Sequence, residues 1–176
     1  DLGLALVAPK SAHGDWALPG SPSKKEPVEL EYFDALIVDL QARFPIDVTN
    51  LMASGFSAGG MMVWNLACDR GDMFAAYAPI SGTFWEPIPQ SCATKPVNMI
   101  HTHGKTDRTV PLTGRPIRDT KQGSVPEVLD MYARHGGYQN ARDYGDGDLE
   151  CRELTNDAGK LLEICLHPRG HDMRAS

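Results

Sequence analysis

What the sequence lacks narrows it first. Its four cysteines, Cys68, Cys92, Cys151 and Cys165, include no C-x-x-C pair, so structural zinc and thioredoxin-like chemistry have little support. No Lys-Ser or Lys-Thr stands behind the glycines at 55–60, which removes the phosphate-cradling loops of nucleotide-binding proteins. Basic runs are absent, and 23 acidic residues outnumber 17 Lys and Arg for a net charge of -6. Neither a nucleic acid nor a membrane is therefore expected as a partner. Internal repeats, low-complexity tracts and an apolar run long enough to span a bilayer are also missing, which excludes solenoids and helical membrane spans. What remains is a 176-residue chain, 41% hydrophobic and 23% charged, which reads as one globular domain over 1–176 with length enough to bury a core.

The chain is organised around Val48–Ala67, which reads as strand, then Gly55-Phe56-Ser57-Ala58-Gly59, then helix. A serine hydroxyl is a poor nucleophile and must be presented to a base, and a strained strand-to-helix turn does this. Gly55 and Gly59 are expected where a Cβ would meet the neighbouring strand and helix. The helix N-terminus offers a partial positive charge and the Ala58 N–H, both suited to an oxyanion. A bare G-x-S-x-G arises by chance in about one chain in ten of this length. Its weight here comes from the apolar, β-capable run before it and the apolar helix Met61–Ala67 after it.

In chain order, Gly3–Ala8 reads as an opening strand and 10–27 as a long loop rich in Pro, Gly, Ser and Lys. Leu30, Phe33, Ile37, Leu40 and Phe44 recur at three-four spacing and predict an amphipathic helix ending before Pro45. Val48–Ser54, Phe74–Ile80 and Val97–Thr102 are further strands, all parallel with the first. Ser124-Val-Pro-Glu127 is a capping box with Pro inside the first turn, and Gly136-Gly137 a stop, so 124–135 should be helix. Leu149–Thr155 and Lys160–His167 flank Asn156-Asp-Ala-Gly159 as a hairpin. Short apolar runs alternating with helices predict an α/β fold built on a parallel sheet.

Register arithmetic bears on the cysteines. If 157–159 is a three-residue hairpin loop, paired numbers sum to 316 and Cys151 falls opposite Cys165, close enough for a disulfide. That leaves Cys68 for Cys92. Four cysteines allow three pairings, and free buried thiols remain an alternative. Two bridges would imply an oxidising compartment, secreted or periplasmic.

The serine needs a base and the base an orienting carboxylate, in the chain order Ser, acid, His, each on a loop at the C-terminal end of a parallel strand. Asp107 follows the strand ending near His103, and His171 follows the last strand in Pro168-Arg-Gly-His-Asp172. His167 competes as the base. His101-Thr-His103 invites a metal reading, but no third ligand stands at a sensible spacing, so no metal is expected and one of the two should pack beside the Asp107 turn. Trp16, Phe56 and Trp85 are candidate substrate contacts. For the tryptophans, ordinary packing is the equal alternative.

Gly55-Phe-Ser-Ala-Gly-Gly60, His103-Gly-Lys-Thr-Asp107-Arg-Thr-Val-Pro111 and Gly170-His171 together resemble the secreted polyhydroxybutyrate depolymerase and feruloyl esterase-like branch of the α/β-hydrolases. The resemblance implies an α/β-hydrolase fold, a parallel sheet flanked by helices, with Ser57 as nucleophile, Asp107 as acid and His171 as base. It also implies a Cys68–Cys92 bridge, no cofactor, and an ester as substrate, with hydroxycinnamoyl or acetyl polysaccharide esters or a polyester as the expected classes. Acyl transfer, prolyl-oligopeptidase-like peptide cleavage and a non-catalytic polymer-binding role stand as alternatives. Two departures are expected to mark a chain incomplete at both ends. The resembling proteins carry a His-Gly oxyanion loop upstream of the opening strand, for which His13-Gly14 should not be mistaken, and a final helix after the histidine.

Overall fold

A computed structural model describes residues 3–11, 14–23 and 25–173. His13 lies outside them. The described elements run α1 (Glu29–Arg43), a single 3-10 turn (Val48–Asn50), β1 (Met52–Phe56), α2 (Ala58–Asp69), β2 (Ala76–Ile80), β3 (Asn98–Gly104), β4 (Pro116–Ile117), β5 (Thr120–Lys121), α3 (Val125–Gly136), β6 (Gln139–Asp146), β7 (Leu149–Thr155) and β8 (Leu161–His167). The main sheet has the order β1-β2-β3-β8-β7-β6, and β4 and β5 form a small separate hairpin. β1, β2, β3 and β8 are mutually parallel, whereas β7 and β6 add on antiparallel.

The helices end where their capping residues say they should. α1 buries Phe33 and Leu40 and stops at Phe44 before Pro45. Its buried first residue, Glu29, accepts from Val28 N at 3.0 Å and Ala17 N at 2.9 Å, satisfying a free amide at the helix start and tying down the preceding loop. Ser124 caps α3 by accepting from Glu127 N, and Gly137 closes it in the left-handed conformation at φ 63°. α2 is apolar nearly all round and buried from Gly60 to Cys68, as a helix wedged against a sheet must be. Its Trp64 is fully buried, edge-on to Tyr132 of α3 at 5.6 Å. Arg70, just past α2, binds Asp34 of α1 through Nε at 2.9 Å and Nη2 at 3.0 Å.

Two expected strands are corrected. Gly3–Ala8 forms no ladder with any described strand, and Leu4 and Leu6 are 82% and 96% exposed. An apolar run becomes a strand only when a partner edge takes up its backbone groups, and that non-local partner is invisible to local pattern. Val48–Asn50 is a 3-10 turn because Asp47 Oδ1 accepts from Thr49 N (2.9 Å) and Thr49 Oγ1 (2.7 Å), holding the backbone away from the sheet until Met52. β6 was not expected at all.

The hairpin register is as the arithmetic has it: Cys151 opposes Cys165, Thr155 opposes Leu161, and Asn156 N donates to Lys160 O at 3.1 Å. Cys151–Cys165 and Cys68–Cys92 are both disulfides, with Cα atoms 4.1 and 4.6 Å apart.

Candidate active site

β1, β3 and β8 run parallel, so their C-terminal ends share one edge of the sheet, and each is followed by one of the three residues singled out from sequence. Ser57 follows β1 at φ 58° and ψ -119°, a strained conformation that lifts the side chain off the strand. The turn is possible because Gly55 has no Cβ, which would overlap the Gly59 carbonyl, and Gly60 has none, which would lie 2.6 Å from Ile80 O. Gly59 itself meets nothing within 4 Å. The steric demand thus falls on Gly55 and Gly60, not on the 55/59 pair expected, because α2 leaves the sheet in a direction that presses Gly60 on β2. Ala58 is the first residue of α2, so its N–H stands among the amides that the helix leaves without an internal partner.

Asp107 sits in a tight turn after β3. Its Oδ1 accepts from Thr109 N and Val110 N, both at 2.8 Å, and its Oδ2 accepts from His171 Nδ1 at 2.7 Å. Burial pushes this carboxyl's pKa up, but the His171 hydrogen bond and the Val110 and Thr109 amides outweigh that and hold it below the usual carboxylate range. Gly104 makes the meeting possible. A Cβ there would overlap the carbonyl oxygens of Arg169 and Gly170, so the loop bearing His171 can cross the end of β3 only over a glycine.

The His171 ring lies against Phe56, centroids 4.6 Å apart. His171 is therefore beside the elbow, and Phe56 is a wall for it. No hydrogen bond joins Ser57 to His171 among the described residues. With Nδ1 committed to Asp107, His171 keeps Nε2 for a proton from another group. His167, the competing base, is buried at 3% exposure and far less accessible than the loop histidine.

Trp16 and Trp85 line one groove of about 490 Å³ together with Ser11, Ser21, Met61 and Ala58. Both also pack: Trp16 lies 5.8 Å from the Phe33 ring, and Trp85 is bridged to Gln122 and only 9% exposed. Ordinary packing thus holds for both indoles, and both also border the groove.

His101 and His103 are fully buried on β3. They lie 3.0 Å apart between Nε2 and Nδ1, and His103 Nε2 is 2.8 Å from Val110 O. One of them does pack beside the Asp107 turn. Among the described residues, the side chains grouped closely enough to hold a metal are Cys151, Glu163 and Cys165. The two sulfurs are joined to each other and offer no thiolate.

No family model matches the sequence. The chain is 25% identical over 193 residues to NocK of Nocardia uniformis subsp. tsuyamanensis, an esterase by name, covering 96% of this chain and 56% of that protein. It is 31% identical over 138 residues to the probable feruloyl esterase C of Aspergillus terreus, covering 77% of this chain and 44% of that one. The chain thus spans about half the length of these curated relatives. Among solved structures, the acetyl xylan esterase from Aspergillus awamori superposes with a TM-score of 0.56 at 13% identity, over 80% of this chain and 61% of that one. The chain has the α/β-hydrolase fold, and its relatives by sequence carry the names esterase, feruloyl esterase and acetylxylan esterase.

Proposed function

We propose that this chain carries the catalytic centre of a serine carboxylic-ester hydrolase that works through an acyl-enzyme. The observation that carries the reading is the 2.7 Å bond from His171 Nδ1 to a buried Asp107 at the sheet edge where Ser57 stands in a strained turn. In the proposed cycle His171 Nε2 takes the Ser57 hydroxyl proton as Oγ attacks the ester carbonyl, and the Ala58 N–H donates to the oxyanion. The imidazolium then protonates the leaving alcohol. In the second half His171 removes a proton from water, hydroxide attacks the acyl carbon, and Ser57 Oγ leaves with the returned proton. Asp107 stays ionised throughout, holding the tautomer and the positive charge of the imidazolium, and its lowered pKa supports that role.

The substrate reading is hydroxycinnamoyl or acetyl esters on plant polysaccharide, or a polyhydroxyalkanoate-type polyester. The names of the relatives support the first two. A groove with two indole faces and several hydroxyls beside Ala58 supports a substrate with an extended apolar or sugar portion. A secreted or periplasmic location is part of the reading, supported by two disulfides.

A fluorophosphonate probe followed by peptide mass spectrometry tests the nucleophile, and hydrolysis of ethyl ferulate, acetylated xylan and polyhydroxybutyrate tests the substrate class. Label on the Ser57 peptide, abolished by Ser57→Ala, is the expected result. Hydrolysis that survives Ser57→Ala overturns the mechanism.

A further inference from the structure

Beside Asp107 stand two buried histidines that the proposed cycle does not use. His103 Nε2 is 2.8 Å from Val110 O and 3.5 Å from Asp107 Oδ2, the oxygen that binds His171. His103 Nδ1 is 3.0 Å from His101 Nε2. His101 Nδ1 has no partner among the described residues.

Hydrogen-bond chemistry allows one assignment of protons. Val110 O can only accept, so His103 Nε2 must carry a hydrogen, or two acceptors would face each other at 2.8 Å. A neutral His103 then has a bare Nδ1, which His101 must meet with its Nε2–H. The chain ends on His101 Nδ1 as a bare lone pair, the less costly kind of orphan, since buried acceptors go unpaired more readily than buried N–H groups. Every proton in the row is thereby directed from His101 through His103 toward the Asp107 turn.

We infer that His103, with its tautomer set by Val110 O and met by His101, is a positioning residue for Asp107. Its Nε2–H pins Val110 O, and Val110 N in turn binds Asp107 Oδ1, so the turn is clamped through both backbone groups of one residue and Oδ2 is left aimed at His171. The uncharged form matters, because a cation 3.5 Å from Oδ2 would compete with His171 for the same oxygen. Burial lowers the pKa of both His101 and His103, which keeps them neutral. The titratable groups around His103 are His101 on its own strand, Asp107 on the following turn, His167 at the end of β8 and His171 beyond it. The inference rests on the proposed role of the Asp107–His171 pair, and its test is therefore read without turnover as well as with it.

The first readout is the His171 Nδ1–H proton in 15N-labelled protein, which the short bond to Asp107 should hold far downfield and slow to exchange. His103→Leu should move this resonance upfield and speed its exchange, and His103→Gln, which keeps an N–H donor, should restore it. In steady state His103→Leu should lower kcat about a hundredfold with KM little changed, the signature of misplacement and not of lost binding. Where His103→Leu does not fold, the 15N shifts of His103 in the unaltered protein should report a neutral ring with its hydrogen on Nε2, the tautomer that Val110 O demands. A His171 resonance unchanged in His103→Leu overturns the inference, as does equal loss in His103→Leu and His103→Gln, or a His103 ring in the unaltered protein that is protonated or carries its hydrogen on Nδ1. Activity surviving Ser57→Ala would instead sink the serine mechanism and leave the resonance test standing.

Discussion

The parallel half of the sheet and its antiparallel wing are held by different physics. Around Ser57, Asp107 and His171 the backbone passes so close that single Cβ atoms at Gly55, Gly60 or Gly104 would collide, and the Asp107 carboxylate is buried with both oxygens paired. β6, at the far edge, is exposed at every residue and leans on β7 through surface pairs, Arg152 with Asp143 and Arg142 with Glu153. One covalent staple, Cys151–Cys165, fastens β7 to β8. The contrast teaches where a substitution should act. In the first region it should be felt as chemistry, and in the second as stability or not at all.

The sharpest way to break the comparison is to make one chemical change in both regions. Asp107→Asn should cut ester turnover about ten-thousandfold, because the amide's N–H₂ would face His171 Nδ1 and drive the proton to Nε2, the atom that accepts from Ser57 in the proposed cycle. Asp143→Asn in the wing, at an exposed carboxylate, should leave turnover unchanged. Steady-state rates on one activated ester decide it. Equal effects at the two sites would mean that Asp107 is merely a structural acid.

Next in size is the staple. Cys151 and Cys165 are 14 residues apart, and a loop of that length constrains the unfolded chain by about 3 kcal/mol. Cys151→Ala with Cys165→Ala should lower denaturation stability by roughly that amount. Turnover at room temperature should survive, since β8 is still held to β3 from Met99–Leu162 to Gly104–His167. Loss of turnover in a folded double variant would show that the wing, and not β3, positions His171.

A smaller effect follows from the two buried histidines. Their folded pKa values lie below the ordinary histidine value of about 6.5, because burial disfavours the charged ring, so between the folded value and 6.5 the unfolded chain binds more protons. Stability is then full above about pH 6.5 and falls as pH drops below it, by at most about 1.4 kcal/mol per pH unit for each histidine. Asp107 adds in the same direction only at lower pH, because its depressed pKa contributes stability that is lost as pH falls through the acid range. Melting curves from pH 8 to 5 should show the decline, and His101→Leu should flatten it. A flat profile in the unaltered protein would mean that these histidines protonate without cost.

How much of this was legible in sequence follows the same divide. The helix ends were readable because Ser124, Gly137 and Pro45 carry their signals locally, and the hairpin because its loop fixes the sum of paired positions. Chain order after strand ends was enough to bring Asp107 and His171 together. Gly3–Ala8 misled because a strand needs a partner that local pattern cannot name. β6 was missed because Gln139–Asp146 buries neither face and so shows no alternation. The available signal was Gly147-Asp148, a two-residue connection with Gly147 at φ 58°. The proton order of His101 and His103 depends on Val110 O, which only the folded turn presents.

The smallest expected effect sharpens the comparison from the wing's side. Arg152 binds Asp143 by two parallel bonds, Nε to Oδ1 at 2.7 Å and Nη2 to Oδ2 at 2.9 Å, as good a geometry as a surface pair attains. The Arg152 hydrogen bond also lowers the Asp143 pKa. Yet the side chains are 58% and 66% exposed, so water screens the attraction, salt at physiological strength screens it further, and holding two long side chains in one geometry costs rotamer freedom. Arg152→Ala should therefore leave the melting temperature within experimental error at 0.15 M salt, roughly the physiological strength. The counterpart is Arg70 with Asp34, a fork of the same kind at 32% and 45% exposure that fastens α1 to the end of α2. Arg70→Ala should lower the melting temperature measurably, because it unties two core elements where Arg152→Ala loosens only an edge. A double-mutant cycle on each pair, run in low and high salt, separates pair energy from lost packing. A coupling at Arg152–Asp143 as large as that at Arg70–Asp34 would mean that the wing is not the loosely held edge its exposure implies.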